Sequence, residues 1–342
     1  MAPPRGVVAK QRADYVKLRA IGKGSFGSVF LVKHQKTGEQ LVMKEVSLKG
    51  LSLKEQKATM NEVTVLKKLN HANIIGYKES FCSGDVLCIC MEWAPGGDLG
   101  SLIASRKGSR IPEPQLLKIF YELTSALAYC HHDLHMLHRD LKPQNIFIGA
   151  DGSAKLGDFG LSKVLAASMA LAATQCGTPL YMSPELCEGI SYNRGADVWA
   201  LGCILYELMS LTPPWLDQMG RAPGGISGLM RRIRSSTLNT AALRPHYSAE
   251  LVALLESLLC KAPERRPALA SVLGMPILSK LAPPPLSASI RSEHPASSRR
   301  PSSSASTANS AAASSAASKP RSSSSSSAQP AGTDAHVAAE ML

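Results

Sequence analysis

No run of about 18 uncharged apolar residues occurs in this 342-residue chain, so no segment reads as a membrane-spanning helix. The opening residues, Met1-Ala2-Pro3-Pro4-Arg5, lack the apolar stretch of a secretory signal. Position 2 is not glycine and Ala339-Glu340-Met341-Leu342 is not a prenylation box, so lipid anchoring is not expected. The eight cysteines lack metal-ligand spacing, which argues against zinc or a disulfide framework and for reduced thiols, as in a cytosolic or nuclear protein. Acidic residues are scarce, 26 against 38 basic ones, for a net charge of +12. From Leu281 onward five basic and three acidic residues give +2, so +10 sits on the first 280 residues. The densest basic run, Arg231-Arg232-Ile233-Arg234, has no interleaved aromatics. That speaks against specific nucleic-acid binding and for a solvated face or one that attracts acidic partners.

What is present suffices for a core: 44% of residues are apolar, although much of that is alanine. The length suits one large domain, or two lobes, with an extension. Leu18 to Phe30 and Leu41 to Val46 read as strands, joined through Lys36-Thr37-Gly38. Ser52-Leu53-Lys54-Glu55 has capping-box spacing and opens a helical run to Leu69, closed by Asn70-His71-Ala72-Asn73. Residues 81–91 read as a strand pair around Ser83-Gly84-Asp85, with Cys88 and Cys90 on one face of a buried strand. Beyond Pro95-Gly96-Gly97 the pattern turns helical. Leu116, Ile119, Phe120, Leu123 and Leu127 keep helical spacing within Gln115 to His131, and Ala196 to Met209 and Ala249 to Leu259 are similar. Residues 301–328 are almost entirely Ser, Ala and Pro, a composition too poor in apolar groups to offset ordering entropy, so disorder is expected there. No heptad pattern appears in that region, and the oligomeric state is not legible.

The most informative stretch is His138-Arg139-Asp140-Leu141-Lys142-Pro143-Gln144-Asn145. Transfer of a phosphoryl group from ATP to a hydroxyl needs a carboxylate, an ammonium and a carboxamide together. Asp140 can orient the hydroxyl and accept its proton, Lys142 can neutralise the moving group, and Asn145 can hold Mg2+. Other motifs flank it in order. Ile21-Gly22-Lys23-Gly24-Ser25-Phe26-Gly27-Ser28-Val29 is a glycine-rich loop whose amides can meet phosphate oxygens. Such a loop alone equally suggests a dinucleotide fold, but a second strand follows it here, not a helix. Lys44 follows on the next strand, and Asp158-Phe159-Gly160 begins 18 residues after Asp140. Asp158 with Asn145 gives oxygen ligands of the kind Mg2+ prefers.

In this order the motifs resemble those of eukaryotic protein kinases, and more closely the NIMA-related (NEK) serine/threonine kinases, from about Tyr15 to about Lys280. The resemblance implies an α+β, bilobal protein-kinase fold: a small antiparallel β-sheet N-lobe with one regulatory helix, and a larger, mainly helical C-lobe. It places a leader at 1–14, the kinase domain at 15–280 (lobes 15–94 and 95–280) and a disordered tail at 281–342. Lys44 would contact the α- and β-phosphates, oriented by Glu62. Val42 would roof the adenine pocket, Met91 would be its gatekeeper, the backbone of Glu92 and Ala94 would bond the adenine edge, and Phe147 would form the floor. Trp93 would cover the mouth. Arg139 would pair with a phosphate on Thr174, Ser168 being the alternative, and Thr178 would join the substrate platform. Glu185 would pair with Arg266, and Asp197 would brace the catalytic loop. ATP and Mg2+ are implied, with protein substrates bearing Ser/Thr acceptors and with an upstream kinase or autophosphorylation as the source of loop phosphate. Lys142 resembles the Ser/Thr class, and Leu161 is similar to kinases that prefer serine. A pseudokinase scaffold is the main rival, although Lys44, Asp140 and Asp158 are all present. A small-molecule kinase is a third reading, opposed by Gly177-Thr178-Pro179 and Ser183-Pro184-Glu185, which serve extended peptides. Family resemblance implies a cytoplasmic site, with centrosome, ciliary base or nucleus as alternatives.

Overall fold

Strands rich in alternating apolar residues open the fold: β1 (Tyr15–Gly24), β2 (Gly27–His34), β3 (Gln40–Ser47), β4 (Tyr77–Ser83) and β5 (Val86–Glu92). They form one antiparallel sheet in the order β1-β2-β3-β5-β4. This computed structural model describes residues 12–24, 27–158, 179–216 and 223–282, with the side chains of Lys23 and Glu62 also outside that description. Gly27 is glycine for a steric reason: a Cβ there would lie 1.7 Å from the Glu45 carbonyl oxygen on β3.

Helix α1 (Leu53–Leu66) carries the expected capping box, with Ser52 Oγ accepting from the Glu55 amide and Glu55 Oε2 accepting from the Ser52 amide. It stops three residues before the expected Leu69. Its last turn tightens into i→i−3 bonds, Lys68 N–H to Val65 O and Leu69 N–H to Leu66 O.

Beyond the sheet come α2 (Leu99–Ser105), α3 (Glu113–His132), a hairpin of β6 (Ile146–Ile148) and β7 (Ala154–Leu156), α4 (Pro184–Cys187) and α5 (Arg194–Ser210). The chain then forms α6 (Gly225–Ser235), α7 (Ala249–Leu258), α8 (Leu269–Leu273) and α9 (Pro276–Ser279). The five periodic apolar residues of α3 are all buried, as their spacing demands. Helix α5 is apolar around its circumference and buried on every side, so it is the central post of the larger lobe. Trp199 stacks on Trp215 at 5.8 Å, and the Lys261 ammonium lies 3.8 Å from the Trp215 ring. Burial brings the Lys261 amine down to about 8. The antiparallel sheet with one helix, followed by a helical lobe, is the bilobal kinase architecture.

Cys88 and Cys90 share a buried face of the sheet with Val32, Met43 and Phe81. Burial pushes their thiols up to about 11 and about 12, so both are packing groups. Within the basic run, only Arg231 and Arg234 are exposed. Ile233 is buried, and Arg232 donates from Nε to the Trp215 carbonyl at 2.7 Å.

Glu185 and Arg266 form the expected pair. Arg266 donates from Nη1 to Oε1 at 2.7 Å and from Nη2 to Oε2 at 2.8 Å, with both side chains almost wholly buried. Burial alone pushes the Glu185 carboxyl up, but the guanidinium outweighs it and holds it below the usual range. Arg266→Met should lower unfolding stability by about 3–5 kcal/mol in denaturant titrations, because it strands a buried carboxylate. A double change that adds Glu185→Leu should recover part of that loss.

Candidate active site

The site is built around one buried acid. Asp197 lies in the first turn of α5, where the helix N-terminus favours a negative charge. Its Oδ2 accepts from the His138 amide at 2.9 Å and from His131 Nε2 at 2.7 Å. Its Oδ1 accepts from the Arg139 amide at 3.0 Å and the Tyr192 hydroxyl at 2.6 Å. Burial by itself raises the Asp197 carboxyl, but these bonds reverse the effect and keep it below the usual carboxylate range. The two amides fix a tight bend in which Arg139 takes a left-handed backbone, φ +69°.

The bend aims His138 inward, where its ring is fully buried. Its Nδ1 accepts from the Asp140 amide at 3.3 Å, and its Nε2 donates to the Gly157 carbonyl at 2.9 Å. A backbone N–H can only donate and a carbonyl can only accept, so this pair of bonds selects the neutral, Nε2-protonated ring. Burial lowers the imidazole pKa in keeping with that form.

Asp140 projects from the bend and is half-exposed. Its Oδ2 accepts from Lys142 Nζ at 2.8 Å and from Asn145 Nδ2 at 2.8 Å. Burial raises the Asp140 carboxyl, but Lys142 and Asn145 together hold it below the usual range. Asn145, buried at the end of a 3-10 turn over Pro143–Asn145, also donates Nδ2 to the Asp140 carbonyl at 2.7 Å. That orientation turns its Oδ1 the other way. The Asn145 carbonyl accepts the Gly157 amide at 2.9 Å, which ties this cluster to the residue before Asp158.

Asp158 has a left-handed backbone, φ +51°, and its Oδ1 accepts from Lys44 Nζ at 2.9 Å. Lys44 comes from the sheet. Register sets it opposite Val29 and Ile89, while Val42, two residues earlier on the same face, lies opposite Leu31 and Met91. Strand alternation thus puts Val29, Val42, Lys44 and Met91 on one face. The sheet ends in the Glu92–Ala94 connection, where the Ala94 amide makes no hydrogen bond among the described residues. Gly96 donates its amide to the Ile148 carbonyl at 2.9 Å, and a Cβ there would lie 2.8 Å from the Ile148 side chain. Phe147 is half-buried, bridged to Asp98 beyond this connection, with its ring against Gly157. Trp93 lies at the edge, with the Arg19 guanidinium 5.9 Å from its ring.

The structure therefore gathers Asp140, Lys142 and Asn145 in one cluster and Lys44 and Asp158 in another, joined through His138 and Gly157. The described partner of Lys44 is Asp158. Glu62 lies on α1, and its side chain, the expected partner, is outside the described residues. So are Ser25, Phe26, Ser168, Thr174, Cys176 and Thr178. Sequence reasoning missed His131 and Tyr192, which complete the cage around Asp197, and the Lys155–Glu92 ion pair at 3.0 Å. A tyrosine five residues before the acid on the same helix entry was the one local signal available. Among the described residues no cluster of three or more His, Cys, Asp or Glu could hold a metal. The oxygen donors of Asn145 and Asp158 still suit a hard cation shared with a phosphate ligand.

A family model described as a protein kinase domain matches residues 15–278. The chain belongs to the protein kinase family. It is 41% identical to the serine/threonine-protein kinase Nek1 of Mus musculus over 266 residues, 78% of this chain and 21% of that protein. It is 38% identical to the serine/threonine-protein kinase Nek5 of Homo sapiens over 280 residues, 82% of this chain and 38% of that protein. It is 36% identical to the serine/threonine-protein kinase Nek3 of Mus musculus over 282 residues, covering 82% and 53%. These relatives bear out the NIMA-related resemblance. The chain spans about a fifth to about a half of the length of these relatives.

The neutral His138 gives this kinase domain a pH signature. In the unfolded chain the ring takes a proton near its usual 6.5, and in the folded domain only at lower pH. Below pH 6.5 the unfolded state binds more protons, so stability should fall as pH falls, by no more than about 1.4 kcal/mol per unit for one proton. His71, whose pKa burial also lowers, acts in the same direction. Urea midpoints at pH 7.5, 6.5 and 5.5 should therefore decline, and His138→Asn should flatten the decline in part. Equal slopes for the two proteins would remove His138 as the source.

Proposed function

We propose that this chain is an ATP- and Mg2+-dependent protein serine/threonine kinase that transfers the γ-phosphoryl group to hydroxyls of protein substrates. The observation that carries this reading is the junction of the Asp140–Lys142–Asn145 cluster with the Lys44–Asp158 pair through His138 and Gly157. In this reading Asp140 orients the acceptor hydroxyl and takes its proton, and Lys142 offsets charge on the group in transit. Lys44 holds phosphate oxygens beneath Gly22 to Val29, and Asn145 and Asp158 supply the oxygens for Mg2+. Bound Mg2+ neutralises phosphate charge and fixes the triphosphate. Ile21, Val29, Val42, Met91 and Phe147 enclose the base, and the Ala94 amide offers it a donor.

Arg139 stands beside Asp140 on the strained bend, so a phosphate on Thr174 drawn to it orders the activation segment against the catalytic loop. The kinase domain covers residues 15–280, with a leader before it and a Ser-rich tail after it that supplies phosphoacceptors. The relatives named above are all serine/threonine-protein kinases, which supports protein substrates as partners. No described helix is long and apolar enough to cross a membrane.

Incubation of the full chain with labelled ATP, Mg2+ and a generic basic protein should transfer label, and chelation of Mg2+ should stop it. Asp140→Asn should lower the rate by about 10²–10⁴-fold with unchanged nucleotide binding. A variant as active as wild type would remove Asp140 from its role, and nucleotide binding without transfer by wild type would favour the scaffold. Thr174→Ala should lower activity at least about tenfold while thermal unfolding stays within a few degrees, as expected of a change that touches only loop ordering. Wild-type rates in that variant would dismiss loop phosphorylation as the switch.

A further inference from the structure

The Glu92 carboxylate, on the connection between the lobes, is held by two groups. Lys155 Nζ lies 3.0 Å from its Oε1 and 3.3 Å from its Oε2. Oε2 also accepts the Gly76 amide at 3.1 Å, and the Glu92 amide donates to the Gly76 carbonyl at 2.8 Å. The same Lys155 ammonium donates to the Ala72 carbonyl at 2.8 Å. One cation thereby ties the connection that faces adenine to the loop between α1 and β4, and both to β7.

Further bonds run beside it. Ile75 donates its amide to the Leu156 carbonyl at 2.9 Å, the Leu156 amide donates to Asn73 O at 2.8 Å, and Asn73 Nδ2 donates to Ala154 O at 3.0 Å. Lys155 is paired across the hairpin with Phe147 and stands three residues before Asp158. It is 15% exposed, so its ammonium is screened less than a surface charge would be.

We propose that Lys155 is a positioning residue for the nucleotide. Among the described residues it has no hydrogen bond or ion pair with the groups assigned to phosphate, metal or acceptor hydroxyl. It acts by fixing Glu92, and through Glu92 the line of backbone groups, up to the Ala94 amide, that receives the adenine edge. The catalytic loop is held separately by Asp197, so loss of the tie weakens nucleotide capture and spares the transfer step. This inference rests on the kinase reading above.

The test uses the full chain, calorimetric titration with Mg2+ and ADP, and steady-state rates against ATP. Lys155→Met should raise both the Kd for ADP and the KM for ATP about tenfold, as expected for loss of one charge-assisted contact, with kcat within about twofold. Lys155→Arg, which keeps the charge, should stay within about threefold of wild type. Glu92→Gln should match Lys155→Met, and the double variant should be no worse than the weaker single, because the pair acts as one unit. Unchanged ADP affinity in Lys155→Met, a fall in kcat at constant KM, or multiplying effects in the double variant would each overturn the proposal. Should Lys155→Met fail to fold, Glu92→Gln decides alone: about tenfold weaker ADP binding supports the tie, and wild-type affinity overturns it. Failure of the wild-type chain to bind ADP would instead remove the kinase reading itself.

Discussion

A single buried carboxylate governs the geometry of this kinase domain. Asp197 takes four hydrogen bonds, two of them from consecutive backbone amides of the catalytic loop. Consecutive amides converge on one acceptor only when the chain bends sharply, and the left-handed Arg139 is that bend. A non-glycine residue in that conformation costs roughly 1–2 kcal/mol, which charge-assisted bonds to a buried anion can offset. The bend then sets the His138 ring, and the ring holds Asp140 on one side and the approach to Asp158 on the other. Asp197 touches no reacting group in the proposed mechanism. The position of every group that does, apart from Lys44, follows from it.

Lys44 arrives by a different route, and its placement depends on register. Its ammonium reaches Asp158 because β3 pairs with β2 and β5 so that Lys44 and Val42 face the same way. A slip of one residue would send both to the other face, into the cluster of Val32, Met43 and Phe81. That cluster is apolar and fully buried, so a lysine there would be costly. The buried face thus enforces the register that the cleft requires.

Much of this was legible in local sequence because the forces are local. The Ser52–Glu55 box, the apolar period of α3 and the helical character of α5 follow from spacing within one element. Glu185 with Arg266 and Asp197 with the catalytic loop were legible only through the resemblance, since each joins residues far apart in the chain. Unreadable contacts share that long range without a motif to flag them. Lys155 and Glu92 are separated by 63 residues; the resemblance placed Glu92 by its backbone alone, and nothing in the sequence distinguishes Lys155 from a surface charge. Arg232 was read with Arg231 and Arg234 as one basic patch. Its helix turns it instead toward the Trp215 carbonyl, and helical phase within a run of arginines depends on which neighbour, Ile233, the core accepts.

The state of Asp140 bears on what it can do. With Lys142 and Asn145 bound to Oδ2, the carboxylate is held ionised below its usual range, and a weakened base abstracts protons poorly. A mechanism that needed early removal of the hydroxyl proton would be badly served by this arrangement. Phosphoryl transfer through a loose transition state makes no such demand, because the acceptor oxygen carries little bonding until late in the reaction. What that path needs is an oriented hydroxyl and a nearby acceptor once its proton turns acidic. An ionised carboxylate held in a fixed direction by two donors meets both needs. The bonds that lower its basicity are the same bonds that fix its direction, so in the proposed reaction aim takes precedence over proton affinity.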